Sequence, residues 1–149
     1  MERNVYELIH ANCVDVLRAM PDKSVHCVVT DMTYGVGIDF GGYRDGTKNI
    51  KRLIERALPE MRRVARLIAI TPVVRNMYLY PKPTWTLGWF FGGGARGRWG
   101  FNHWQPVLVY GPDPRNRLKM MHTDVIRSHS PAARRPHRPS PPEAAVPCP

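Results

Sequence analysis

Apolar positions along the chain repeat with two different periods, and each change of period marks an element. Val5 to Ile9 reads as a short first strand. Asn12 follows as a helix N-cap, with Asp15 three residues on in an imperfect capping-box arrangement. Val14, Leu17 and Met20 then share one helical face, and Pro21 ends that helix in the turn Pro21-Asp22-Lys23-Ser24. Val25-His26-Cys27-Val28-Val29-Thr30 is short, β-branched and mostly apolar, which suits a strand buried on both faces, as in a parallel sheet. Ile50, Leu53, Ile54, Ala57, Leu58, Met61, Val64 and Ala65 recur at helical spacing, with Lys51, Arg52, Arg62 and Arg63 on a solvated opposite face. Pro59 predicts a kink there or two abutting helices. Leu67 to Pro72 is a second buried strand, so strand, helix and strand make a βαβ unit and an α/β fold.

Further on, Trp85, Trp89, Phe90 and Phe91 precede a glycine-rich stretch, Gly92 to Gly100, that reads as a loop. Gln105 to Tyr110 reads as another strand, with Gly111 in the turn after it. The loop offers Arg96, Arg98 and backbone amides to phosphates, or is a plain surface loop; it lacks the strand-to-helix context of a nucleotide fingerprint. Trp85, Trp89, Trp99 and Trp104 are expected in the core rather than on a base-stacking surface.

Composition adds a partner class. Lys+Arg 22 against Asp+Glu 12 gives a formal net charge of +10, which fits polyanion binding, since each neutralised phosphate releases counterions, and equally a basic non-binding surface or charge gathered in a disordered tail. Cys13, Cys27 and Cys148 form no C-x-x-C pair, and the six histidines have no metal-ligand spacing, so neither a disulfide framework nor a zinc site is expected. No apolar run reaches the ~18 residues of a membrane span, and Met1-Glu2-Arg3-Asn4 opens no signal-peptide core; a cytoplasmic protein without a membrane partner is expected. Fifteen prolines are roughly double ordinary usage, and many fall past Ser128. The divisions expected are a catalytic-type domain over 1–127 and a Pro/Arg/Ala-rich disordered tail over 128–149. That tail composition fits a frameshifted C-terminus as well as a genuine Pro-rich tail, and both readings stay open.

The strand Val25–Thr30 ends in Asp31-Met32-Thr33-Tyr34-Gly35, and the ends of such strands are where open α/β sheets bind ligands. The stretch from His10-Ala11-Asn12-Cys13 through Met20-Pro21-Asp22-Lys23-Ser24-Val25 to Thr30-Asp31-Met32-Thr33-Tyr34-Gly35 resembles the N4-cytosine/N6-adenine DNA methyltransferases. That family shows a Gly-Asp-Cys-like turn, a Leu-Pro-Asp-x-Ser-Val turn and a strand ending in Asp-Pro-Pro-Tyr. Arg96-Gly97-Arg98-Trp99-Gly100-Phe101-Asn102-His103-Trp104-Gln105-Pro106-Val107 is similar to a segment of phage-type members. The resemblance implies a Rossmann-like sheet and methyl transfer from S-adenosylmethionine to an exocyclic amine of adenine or cytosine in double-stranded DNA.

By position, Asp31 and the Met32 carbonyl would accept the two amine hydrogens of a flipped base, Thr33 completes the tetrapeptide, and the Tyr34 ring would stack on the base. Arg96 and Arg98 are the expected DNA contacts. Read without the resemblance, Asp31 and Tyr34 also fit a strand-end turn with a packing aromatic. Loss of both family prolines removes a backbone restraint, so loop preorganisation should suffer. The family's donor motif, Asp-Pro-Phe-x-Gly-x-Gly, is absent, and nothing after Tyr110 matches it. The expectation is therefore an incomplete methyltransferase sheet lacking its central donor-binding strand, with impaired activity. The rivals are a non-catalytic basic DNA-binding fragment, a decayed gene product, or a half needing a complementing chain that carries the donor motif.

Overall fold

The computed structural model describes residues 6–96, 99–113 and 123–128. Its first element, α1 (Cys13–Ala19), begins where the Asn12 side chain accepts a hydrogen bond from the Val14 amide at 2.9 Å. Val14 and Leu17 are its buried face, and the chain leaves the helix at Met20, before Pro21. The strand expected over Val5–Ile9 does not form: Val5 lies outside the described residues, and Tyr6 to Ile9 take no regular structure, with Tyr6, Leu8 and Ile9 exposed. Alternation alone does not make a strand, since its backbone groups need a neighbour to pair with, and among the described residues no strand pairs with this segment.

The expected βαβ unit is present. β1 (Val25–Thr30) and β2 (Ala65–Ile70) pair in parallel from Val25↔Ala65 to Thr30↔Ile70, joined through α2 (Thr47–Val64). Ile50, Ile54, Ala57, Leu58, Met61 and Val64 of α2 pack with Val14 and Leu17 of α1 against Ile68 and Ile70 of β2. Pro59 does not divide α2, which runs as one helix. An interior proline costs about 3 kcal/mol, whereas each large apolar side chain buried contributes roughly 1.5–3 kcal/mol, so the buried Ile50, Ile54, Leu58, Met61 and Val64 outweigh one lost bond. Glu55, whose carbonyl loses that bond, is exposed, so water can serve it.

β3 (Trp85–Arg96) and β4 (Phe101–Tyr110) form a long antiparallel hairpin, and β5 (Val125–Ser128), which the sequence pattern did not reveal, pairs in parallel with β3. The result is a mixed α/β structure around a curled five-stranded mixed sheet of order β1-β2-β4-β3-β5. β1 is thus an edge strand. Its expected burial on both faces is not found, because Cys27 and Val29 on one face are exposed while Val28 packs on the core. The glycine-rich stretch is not a free loop either. Register slips between Phe90↔Trp104 and Ala95↔Asn102, so Phe91 to Gly94 form a bulge inside β3. Two of the tryptophans expected in the core are outside it: Trp85 is 56% and Trp99 98% exposed, while Trp89 and Trp104 are half-buried. The hairpin carrying them extends past the core instead of crossing it. Residues 129–149, the greater part of the expected tail, lie outside the described residues.

Arg63 also departs from expectation. It does not join the solvated face of Lys51, Arg52 and Arg62 but folds back to donate to the carbonyls of Leu17 and Met20, at 2.8 and 2.9 Å, and to Asp22 and Glu60. Its pKa is raised, first by the hydrogen bond to Asp22 and then by that to Glu60. The Leu17 carbonyl also accepts from the Met20 amide at 3.2 Å, so Arg63 adds a second donor there and serves the Met20 carbonyl just past the helix, capping one helix from another. Replacing Arg63 with methionine is expected to lower the thermal midpoint and the protection of α1 amides from exchange, whereas Arg62→Met leaves both near wild type. Equal effects of the two substitutions would remove this capping role.

Candidate functional site

β1 and β2 end side by side, and the groups just past their carboxyl ends converge. The Thr71 amide donates to the Thr30 carbonyl at 3.1 Å, continuing the parallel pairing one residue beyond β2. This places the Thr71 hydroxyl 2.8 Å from Asp31 Oδ1, as a donor to it. The Tyr34 hydroxyl donates to the same carboxylate, 2.7 Å from Oδ1 and 2.9 Å from Oδ2. Asp31 is itself exposed, so an acidic acceptor stands at the sheet end with two hydroxyls on it and an open side to solvent.

The two positions where the family tetrapeptide has prolines are used differently. Met32 is only 7% exposed and belongs to the core, where its sulfur receives the Tyr80 hydroxyl at 3.7 Å. Burial pushes the Tyr80 phenol well above its ordinary pKa. Thr33 Oγ1 and Gln105 Oε1 are buried with no hydrogen-bond partner among the described residues.

Backbone restraint comes from elsewhere in the chain. Asp45 is 1% exposed, and its carboxylate accepts from the amides of Gly35 at 2.7 Å and Val36 at 3.2 Å. The Asp45 amide donates to the Ile38 carbonyl at 2.8 Å, closing the segment on itself. Asn76, buried in a 3-10 helix (Val74–Leu79), donates through its side-chain amide to the Tyr34 carbonyl. Gly35 has φ +67°, and a Cβ there would lie 3.3 Å from the Asn76 amide nitrogen. A buried carboxylate and a buried amide thus fix the backbone after the tetrapeptide, a task that proline rings perform by φ restraint.

Tyr34 is half-buried, and its pKa is pushed up to about 12, first by desolvation and then by the hydrogen bond to Asp31, with the nearby Gln105 side chain pulling the other way. The neutral phenol is the favoured form in the folded state. The stability it contributes is therefore full below pH 10.0, the ordinary value, and is lost as pH rises through about 12. A tyrosinate absorbance titration should show one group ionising near pH 12 that disappears in Tyr34→Phe. An unchanged titration curve in that variant would contradict the assignment.

Of the remaining sequence candidates, Arg96 is exposed at the end of β3, and Arg98 lies outside the described residues. β4 pairs with β2 only over Leu108–Tyr110, so the rest of the hairpin extends past the carboxyl end of β2. Its far end, at Arg96↔Phe101, stands roughly 20 Å along the strand from the Leu108 pairing. Asp31 and Arg96 therefore share an end of the sheet without meeting. The arm between them exposes Phe90, Trp99 and Phe101 beside Arg96 and His103.

The described residues just past β1 do not fit a methyl-donor pocket. The glycine-bearing segment after β1 has its Gly35, Val36 and Gly37 amides committed to Asp45, leaving them no hydrogen to offer a cofactor carboxylate. Along the outer edge of β1, no strand is paired among the described residues. Among those residues, too, no group of three His, Cys, Asp or Glu side chains could hold a metal ion, and no helix is long and apolar enough to cross a membrane.

No protein-family model matches the chain, and no curated protein is significantly similar to it.

Thr71, Asp45, Asn76, Tyr80 and Gln105 complete the site, and none was singled out for this role by pattern. Thr71 carried a signal, since a residue just past a strand parallel to β1 must lie beside Asp31. Asp45 and Asn76 carried none, because their targets are backbone groups of a loop whose path local sequence does not specify.

Proposed function

We propose that this chain is the base-handling part of a DNA amino-methyltransferase with a Rossmann-like sheet, and that alone it transfers little or no methyl. One observation carries the reading: an exposed carboxylate at the end of a parallel strand, Asp31, is hydrogen-bonded by the aromatic three residues on, Tyr34. A flipped adenine or cytosine presents an amine with two hydrogens, which needs an acceptor at that point and a ring to stack on. Oδ1 accepts from both hydroxyls and Oδ2 only shares the Tyr34 hydrogen, so an entering amine can add to the open side of Oδ2 and compete there with the Tyr34 hydroxyl. Displacement frees the ring to lie against the base. Thr33 Oγ1 and Gln105 Oε1 lie buried beside this point without a partner among the described residues, each at a cost of roughly 1–3 kcal/mol. The hairpin arm, with Arg96 and exposed aromatics, supplies phosphate and stacking contacts to double-stranded DNA.

The test uses duplexes carrying 2-aminopurine at the target position, whose fluorescence rises on unstacking. The wild-type chain should raise it, and Asp31→Ala and Tyr34→Ala should not. Equal signals from all three would sink the base-handling reading. Radiolabelled methyl transfer from S-adenosylmethionine to varied duplex DNA should remain near background, and robust turnover would overturn the claim of impairment. A complementing chain carrying the glycine-rich donor motif is the partner expected to restore transfer.

A further inference from the structure

Two clefts of the described structure lie away from Asp31, at the opposite end of the sheet. There β2 begins and β4 ends, beside a groove of about 250 Å3 lined by Arg62, Arg66, Lys82, Thr84, Tyr110 and Gly111, with Ala65 and Ile68 at its base. No carboxylate lines it. A second groove of about 310 Å3 shares Arg66 and adds Lys23 and His26. Asp22 and Glu60, the acids of the adjoining turn and helix, are both bound by Arg63. Among the described residues, Arg62, Arg66, Lys82 and Lys23 make no ion pair with the neighbouring acids Asp22 and Glu60.

The groove is built rather than merely charged. The Arg62 guanidinium stacks over the Tyr110 ring at 4.8 Å, and the Tyr110 hydroxyl is fixed by donating to the Pro81 carbonyl at 2.8 Å. Gly111, at φ +116°, brings the backbone so close to the Arg66 carbonyl that a side chain has no room. Its amide donates to the Thr84 hydroxyl. The apolar lining residues Ala65, Ile68 and Tyr110 are all buried. A surface that inserts into lipid pairs its cations with exposed apolar groups, and this lining offers none. Together with the net charge of +10, the chemistry suits a chain of phosphates.

We propose that the Arg62–Arg66–Lys82 groove binds the phosphodiester backbone of nucleic acid, as a second site one strand length from Asp31. Neither base handling nor the hairpin arm is needed for it. The test is the salt dependence of binding of the full chain to a fluorescein-labelled DNA duplex of about 20 base pairs, read by anisotropy. In the double variant Arg66→Gln, Lys82→Gln, the slope of log K against log salt should become shallower by about 2, and affinity near physiological salt should fall roughly tenfold. Lys82→Gln alone, at an exposed position, should remove about 1 from the slope. Lys51→Gln, Arg52→Gln on the exposed face of α2 is the matched control and should stay within about twofold. Asp31→Ala should leave the groove's contribution intact, which separates this site from base handling. Unchanged slopes in both groove variants overturn the proposal. So does a loss confined to Arg96→Gln, or binding to phosphatidylserine vesicles in place of DNA.

Discussion

Asp45→Ala is expected to destabilise the protein by about 3 kcal/mol and to abolish the ordered geometry at Tyr34. Asp45 is one of two buried polar or charged residues in the described structure, and both its oxygens are used, on Gly35 and Val36. Removing the carboxylate leaves two amides without acceptors, one bond buried and the other part-buried, each costing roughly 1–3 kcal/mol. Asp45→Asn keeps one acceptor oxygen and should lose about half as much. Urea unfolding checks this: the midpoint should fall with the slope unchanged, since the surface exposed on unfolding is the same. The same variants should lose the 2-aminopurine signal in proportion, because the Tyr34 backbone is held from both sides, by Asp45 through Gly35 and by Asn76 directly. Wild-type stability in Asp45→Ala would show that the loop does not depend on this carboxylate.

Gly111→Ala should cost about 3 kcal/mol through a different mechanism. At φ +116° an L side chain is strained by roughly 1–3 kcal/mol whatever space surrounds it. Here there is no space, since the added Cβ would run into the Arg66 carbonyl and crowd Leu67 Cα, which are backbone and cannot turn aside. Relief requires β4 to move away from β2 at Ile68↔Tyr110, and that pairing joins the βαβ unit to the hairpin. The contrast is Gly42→Ala, also at positive φ but with open space around its Cβ, which should cost only the backbone strain. Equal losses in the two variants, measured by urea unfolding, would mean that the close approach contributes nothing.

Where local pattern alone determines structure, the sequence was sufficient. β1 spans Val25–Thr30 as its β-branched run predicts, and Asn12 caps α1. The apolar positions expected of α2 are its buried ones, apart from the half-buried Leu53 and from Ala65, which begins β2 two residues before the expected strand start. Each of these rests on interactions within a few residues or on a periodic face that must meet a core. Asp31 and Tyr34 were legible in the same way, because a polar, aromatic tetrapeptide after a buried-type strand places a carboxylate at a sheet end.

Tertiary structure decided what required knowing a neighbour. Pattern gives β1 the composition of a doubly buried strand, but burial depends on what packs beside it, and here one edge and one face stay uncovered. The glycine run reads as a loop by composition, yet cross-strand pairing with β4 draws it into β3 as a bulge. Arg63 looks like its neighbour Arg62 on a helical wheel, and only the packing of α2 against α1 turns one onto carbonyls and the other onto a tyrosine ring. Thr71, Asp45 and Asn76 reach Asp31 and its loop across sequence separations of 40, 10 and 42 residues. The sequence by itself therefore determined α1, β1, α2 and the tetrapeptide after β1, whose causes are local. The chain's folding in space determined what holds that tetrapeptide and where its cations gather, because hydrogen bonds and charge act over distance in space and not along the chain.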